Sequence, residues 1–216
     1  DETALQTPPS YPLDPHTHAD YLRAGGRRAA ICMDCSGKHA AMLLTCVTRD
    51  WPTTNYLDAD HPLQREIAAT FIELTDGPPS AVGVDGCGAP LLATPVQQLA
   101  RAFGRIAQSP AGSDGARLVS AMTAHPEYVS GTTREERDLM LAFPGLIAKS
   151  GAESVYATAL PDGSAFAVKI EDGAERPLYA VMGRVLELAG LDAPVLRDRP
   201  QVLGGGRPVG ELRLTF

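Results

Sequence analysis

The stretch "GLIAKSGAESVYATALPDGSAFAVKIEDGAE", Gly145–Glu175, decides the fold class. It alternates short apolar runs with turn signals: a strand, a turn, a second strand, the Pro161-Asp162-Gly163 turn, a third strand, and the Asp172-Gly173 turn. Runs this short, joined by so few residues, leave no room for a crossover helix and can pair only as antiparallel neighbours. A helix over Pro177–Ala189, a glycine-rich turn and a last strand, "VGELRLTF", complete this half.

Upstream the texture is helical. Gly25-Gly26 stops a short helix near Thr17–Ala24. Gly37–Arg49 carries Ala40, Ala41, Met42, Leu43, Leu44, Cys46 and Val47 nearly all round, behind Ser36 as N-cap. That pattern predicts a central helix buried on most faces. Pro62–Leu74 reads as a helix capped by Asp60 or His61, with Leu63, Ile67, Phe71 and Leu74 on one face. "SAVGVDGCGAP", Ser80–Pro90, reads as a short buried strand broken by three glycines. Thr94-Pro95 opens an amphipathic helix with Val96, Leu99, Phe103 and Ile106, and two more follow near Asp114–Ala124 and Thr133–Ala142. The last of these shows a capping-box pattern, Thr133 with Glu136. Helices first and an antiparallel sheet afterwards predict an α+β fold, helices packed on an antiparallel sheet, in one domain over residues 1–216.

The 216 residues are 44% apolar and 21% charged, enough chain for one well-buried core. A formal net charge of -7 argues against nucleic acid and anionic membrane as partners. No apolar run is long enough to span a bilayer. The four cysteines, Cys32, Cys35, Cys46 and Cys87, sit among apolar neighbours and do not form a disulfide framework, which predicts a reducing compartment, the cytoplasm.

Chemistry concentrates in three places. In "DCSGKHAAMLL", Asp34–Leu44, a thiol, a hydroxyl, an amine and an imidazole crowd a helix entry. There, free N–H groups and the helix dipole favour negative charge, which promotes thiolate at Cys35 and neutral amine at Lys38. A buried small cysteine beside a surface lysine is the plainer reading of such a pair. In "VDGCGAP", Cys87 lies between two glycines with Asp85 beside it. Two thiolates make a metal site conceivable, with a third ligand from Lys38, His39, Asp85 or water. In Lys149-Ser150-Gly151, a K-[ST]-G tripeptide ends a strand, as it does in serine enzymes of the β-lactamase class. An exposed turn lysine explains the tripeptide equally well. His16, His18, His61 and His125 lack charged or cysteine neighbours at ligand spacing and read as caps or surface residues.

Together, "CSGKHA" (35–40), "DHPLQ" (60–64), "VGVDGCGAP" (82–90), "MTAHPEYVSG" (122–131) and "GLIAKSGAESVYA" (145–157) resemble one family across essentially the whole chain. It is the asparaginase II family of thermolabile, Rhizobium-type L-asparaginases. The resemblance implies a serine β-lactamase/glutaminase-like α+β fold, and hydrolysis of L-asparagine to L-aspartate and ammonia through a serine acyl-enzyme. By motif it implies Cys35, Lys38 and Cys87 as ligands of a zinc-type metal, His39 and Asp85 facing substrate or bracing that site, and Lys149 assisting the catalytic serines. It also implies a homodimer. The family's Ser-x-x-Lys pair belongs to an N-terminal segment and does not occur in these 216 residues. The expectation is therefore a C-terminal portion of a longer chain that associates with its own N-terminal segment and turns over slowly alone. Two other readings compete: a non-catalytic metal- or amino-acid-binding protein on the same scaffold, and a β-lactamase-like acylase, the latter resting only on Lys149-Ser150-Gly151.

Overall fold

The computed structural model describes residues 1–196 and 201–216. The chain divides into two compact units, Asp1–Thr94 and Pro95–Phe216.

The first unit carries α1 (Pro15–Arg23), α2 (Ser36–Thr48), α3 (Pro62–Thr75) and an antiparallel hairpin of β1 (Ala81–Val84) and β2 (Pro90–Ala93). Its core is Met42, Leu43 and Cys46 of α2 with Tyr56, Leu63, Cys87 and Ala89. The polar N-terminal approach is tied down: Thr7 donates to the Ala30 carbonyl at 2.9 Å, and the Gln6 N–H donates to the Tyr56 hydroxyl at 3.1 Å. His61 caps α3. Its Nδ1 accepts from the Leu63 N–H at 3.1 Å and its Nε2 donates to the Pro52 carbonyl at 2.9 Å, which assigns the tautomer.

Three expectations change here. Cys35, not Ser36, is the N-cap of α2. That helix is not buried on most faces: Leu44 is 67% exposed and Val47 is exposed too, because only the flank with His39, Met42, Leu43 and Cys46 meets Tyr56, Leu63 and Cys87. The "SAVGVDGCGAP" strand is real but exposed, with Val84 at 79%. It belongs to a two-stranded ribbon whose first strand is exposed along its length, and the buried part is the turn, at Cys87 and Ala89.

The second unit begins with α4 (Val96–Ala107), α5 (Asp114–Ala124), α6 (Glu127–Ser130) and α7 (Glu135–Ala142). An antiparallel sheet follows, order β3-β4-β5, from Ile147–Gly151, Val155–Ala159 and Ala165–Lys169. Then come α8 (Leu178–Leu188) and a ribbon of β6 (Gln201–Gly204) and β7 (Arg207–Glu211). The last strand thus ends at Glu211, short of the chain terminus. Residue Arg134 holds the N-cap of α7, so the helix starts one residue later than the Thr133 capping-box pattern predicts.

Register settles the two faces of the sheet. Ala148, Ser150, Tyr156 and Val168 share one face, and Leu139, Met140, Leu178, Met182 and Leu186 of α7 and α8 close the core over it. Ala157, Ala159, Ala165 and Ala167 share the other, where α4 approaches so closely that a Cβ on Gly104 would stand 2.7 Å from the Gly163 carbonyl oxygen. Alternating alanines on the strands and Gly104 at the contact on the helix permit that approach. The expected α+β class, helices packed on antiparallel strands, is what the chain forms.

Candidate functional site

The turn between β1 and β2 is built so that Cys87 can meet α2. The Asp85 N–H donates to the Ala89 carbonyl at 2.9 Å, and the Gly88 N–H donates to the Asp85 carbonyl at 2.8 Å. Gly88 has φ +89°, a conformation that a side chain would strain. Cys87 ends wholly buried at the tip, against the start of α2.

There Cys35, Asp85 and Cys87 bring one sulfur, one carboxylate oxygen and a second sulfur within 4.8 Å of one another. Lys38 joins them: its Nζ donates to Cys87 Sγ at 3.3 Å and stands 3.7 Å from Asp85 Oδ2. The Cys87 thiol donates to the same Asp85 oxygen at 3.0 Å. Two soft sulfur donors and a carboxylate at this separation are a chemically sound set for a borderline metal such as zinc, which binds sulfur at about 2.3 Å and carboxylate oxygen at about 2.1 Å.

The electrostatics differ from those of a bare helix entry. Burial pushes the Cys35 thiol up, and the nearby Lys38 charge opposes this only in part. The Lys38 ammonium is pushed up as well: burial acts downward, but Cys35, Cys87 and Asp85 together outweigh it. The expectation of a neutral amine and a ready thiolate is therefore corrected, because the neighbours' charges and desolvation exceed the dipole's effect. Asp85 is held below the usual carboxylate range, first by the Cys87 hydrogen bond and also by the Gly86 N–H and Lys38.

His39 turns the other way. It is fully buried, its Nδ1 shares a 2.7 Å hydrogen bond with the Tyr56 hydroxyl, and its Nε2 has no hydrogen-bond partner among the described residues. Burial and then the Lys38 charge push its pKa down, so the ring is neutral near pH 7. Tyr56 links this histidine to Gln6, and nothing in the sequence marks it, since the 17-residue separation from His39 matches no motif.

In the second unit Lys149 and Ser150 lie on opposite faces of β3. Lys149 is exposed, pairs across from Ala157 and donates to the Ser150 carbonyl; Ser150 is buried, and its Oγ accepts from the Arg134 guanidinium at 3.1 Å. The hydroxyl of the K-S-G tripeptide thus faces the core rather than the lysine.

The L-asparaginase II family model matches residues 1–214. The chain belongs to the L-asparaginase II family. Membership carries amidohydrolase chemistry on asparagine and agrees with five motifs spread over both units. No helix among the described residues is long and apolar enough to cross a membrane.

Proposed function

We propose that this L-asparaginase II chain takes part in hydrolysis of L-asparagine to L-aspartate and ammonia as one asparaginase II-like domain, since the family match spans both units. A serine of the family's Ser-x-x-Lys segment attacks the side-chain amide carbon, and the Lys149 amine takes up the serine proton. The lysine passes that proton to the leaving nitrogen as the C–N bond breaks, so ammonia leaves, and water then releases aspartate and restores the serine from the acyl-enzyme. Donors at the glycine turn after β1 or at the start of α2 stabilise the oxyanion that forms on the amide oxygen.

Cys35, Cys87 and Lys38 hold a zinc-type ion in this reading, Lys38 only after it gives up the proton that its neighbours favour, with Asp85 at ligand distance or turned to substrate and His39 bracing the start of α2. When bound, such an ion supplies a fixed positive charge for a carboxylate of the substrate. The protein works in the cytoplasm as a homodimer whose N-terminal segment completes the catalytic group. The convergence of Cys35, Asp85, Cys87 and Lys38 in a chain matched over residues 1–214 carries the reading.

The test is ammonia release by the product of the whole gene, with asparagine and glutamine as substrates, beside Lys149→Ala and Cys35→Ser. Turnover of asparagine that Lys149→Ala abolishes supports the assignment. A product that binds zinc or asparagine without releasing ammonia would replace it with the non-catalytic binding scaffold.

A further inference from the structure

A second polar cluster lies outside the Cys35–Asp85–Cys87 group. Arg134, at the N-cap of α7, has a side chain only 26% exposed. Its Nη2 donates to Ser150 Oγ at 3.1 Å and to the Tyr179 hydroxyl at 3.0 Å, and approaches Glu175 at 3.5 Å. Its Nε stands 3.6 Å from Glu136 Oε2, in a carboxylate with no solvent exposure. The Tyr179 hydroxyl donates to the other Glu136 oxygen at 3.5 Å, and the Tyr179 ring sits edge-on to Tyr156 at 5.8 Å. One guanidinium therefore fastens the start of α7, the strand β3 and the helix α8 together.

Stability alone is a poor reason for such a cluster. A buried ion pair rarely outperforms well-packed apolar side chains of the same volume, because desolvating both charges offsets their attraction. What the cluster fixes is a location. Strand β3 pairs only with β4 among the described residues, so one of its edges has no ladder to hold it. Ser150 is the residue after Lys149, on the opposite face of the strand. A bond that holds Ser150 from below sets the pleat and twist from which Lys149 projects above, without touching the lysine.

We propose that Arg134 is the positioning residue for Lys149, acting through Ser150, with Glu136 and Tyr179 holding the guanidinium in place. This rests on the reading of Lys149 as the lysine of asparagine hydrolysis. Displacing a catalytic group by about 1 Å costs up to about a hundredfold in rate, so a clamp one residue away is worth its buried charge.

The test uses the product of the whole gene and a property of this chain: its only lysines are Lys38, Lys149 and Lys169. Limiting acetylation with an N-hydroxysuccinimide ester, read by peptide mass spectrometry, gives the Lys149-to-Lys169 labelling ratio independently of turnover. Ser150→Ala removes the link and leaves the Arg134–Glu136–Tyr179 contacts. The expected result is a labelling ratio changed at least about threefold and kcat for asparagine lowered about tenfold, with KM within about twofold. Arg134→Gln should do the same and Arg134→Lys should recover part of the loss, since a lysine can still donate to Ser150. An unchanged ratio and unchanged kcat in Ser150→Ala, even with a lowered Tm in Arg134→Gln, would make the cluster a structural clamp only and overturn the proposal. Full turnover by Lys149→Ala would instead defeat the catalytic reading of that lysine, and the labelling ratio alone then decides whether Arg134 positions it.

Discussion

Lys38 donates to the Cys87 sulfur at 3.3 Å across 49 residues of sequence. The contact joins the first turn of α2 to the tip of the β1–β2 turn, and it holds a cation against a thiol and a carboxylate before any metal is considered. An arrangement that keeps the ammonium charged and the donor atoms clustered is prepared to release protons from Lys38 and the thiols when a metal ion takes their place.

Cys35→Ser should therefore lower zinc content far more than stability. A half-buried thiol replaced by a hydroxyl of similar size costs about 1 kcal/mol, whereas losing one of two thiolate donors should weaken zinc affinity at least about a hundredfold. Elemental analysis after dialysis and a chelator competition would measure the affinity, and thermal melts of the metal-free protein the stability. Equal zinc affinity in the variant would remove Cys35 from the ligand set.

Gly104→Ala sets helix propensity against packing. Alanine gains about 1 kcal/mol over glycine inside a helix such as α4. Its Cβ would stand 2.7 Å from the backbone oxygen of Gly163, which cannot swing aside as a side chain would. Overpacking of this kind costs about 1–3 kcal/mol, so the variant should be less stable overall. A raised Tm would show that α4 does not approach the alanine face as closely as described.

Tyr156→Phe should stabilise the second unit. The Tyr156 hydroxyl is buried and has no hydrogen-bond partner among the described residues, while its ring fills the core between the sheet and α8. Removing an unsatisfied buried hydroxyl recovers about 1 kcal/mol of desolvation without opening a cavity large enough to matter. Urea unfolding at pH 7 would register this as a higher midpoint with the same slope, and a lower midpoint would reveal a partner for the hydroxyl.

Tyr179 predicts an alkaline limit. Burial first, then the Glu136 and Glu135 carboxylates, push its pKa up from 10.0 to about 12 against the Arg134 hydrogen bond. The folded chain thus keeps this proton where the unfolded chain loses it. Its contribution is intact below pH 10 and is lost as the pH rises from 10 to about 12. Tyr179→Phe should be less stable at pH 7 by about 1 kcal/mol, for want of the Arg134 bond, yet lose less stability between pH 10 and 12. Guanidinium unfolding midpoints across that window would check it, and parallel pH curves for the two proteins would contradict it.

Much of this protein is determined locally. Periodicity and turn residues carry the helices at 62–75, 114–124 and 178–188 to within one or two residues of where they form, the opening of the helix at 96–107, and the order of three strands and their turns after Gly145. Gly88 and the Asp162-Gly163 turn state backbone geometry that only a few residue types can adopt. The donors Cys35, Lys38, Asp85 and Cys87 are legible as residue types, since each lies in a short motif, although their charge states are not. Tertiary structure alone decided what covers what. An apolar residue is buried only if another element arrives, so Leu44 and Val84, core-like by composition, stand exposed because no element among the described residues packs over them. The charge states at the helix entry likewise depend on Cys87 and Asp85 arriving from some fifty residues away, which reverses the shift that the helix dipole alone would produce at Lys38. Glu136 reads in sequence as the capping partner of Thr133, Arg134 and Tyr179 belong to no motif there, and only the packing of α7 and α8 on β3 turns the three into one buried cluster. Short-range sterics write the elements and the motifs, whereas desolvation and long-range contact, which no local window contains, select the partners.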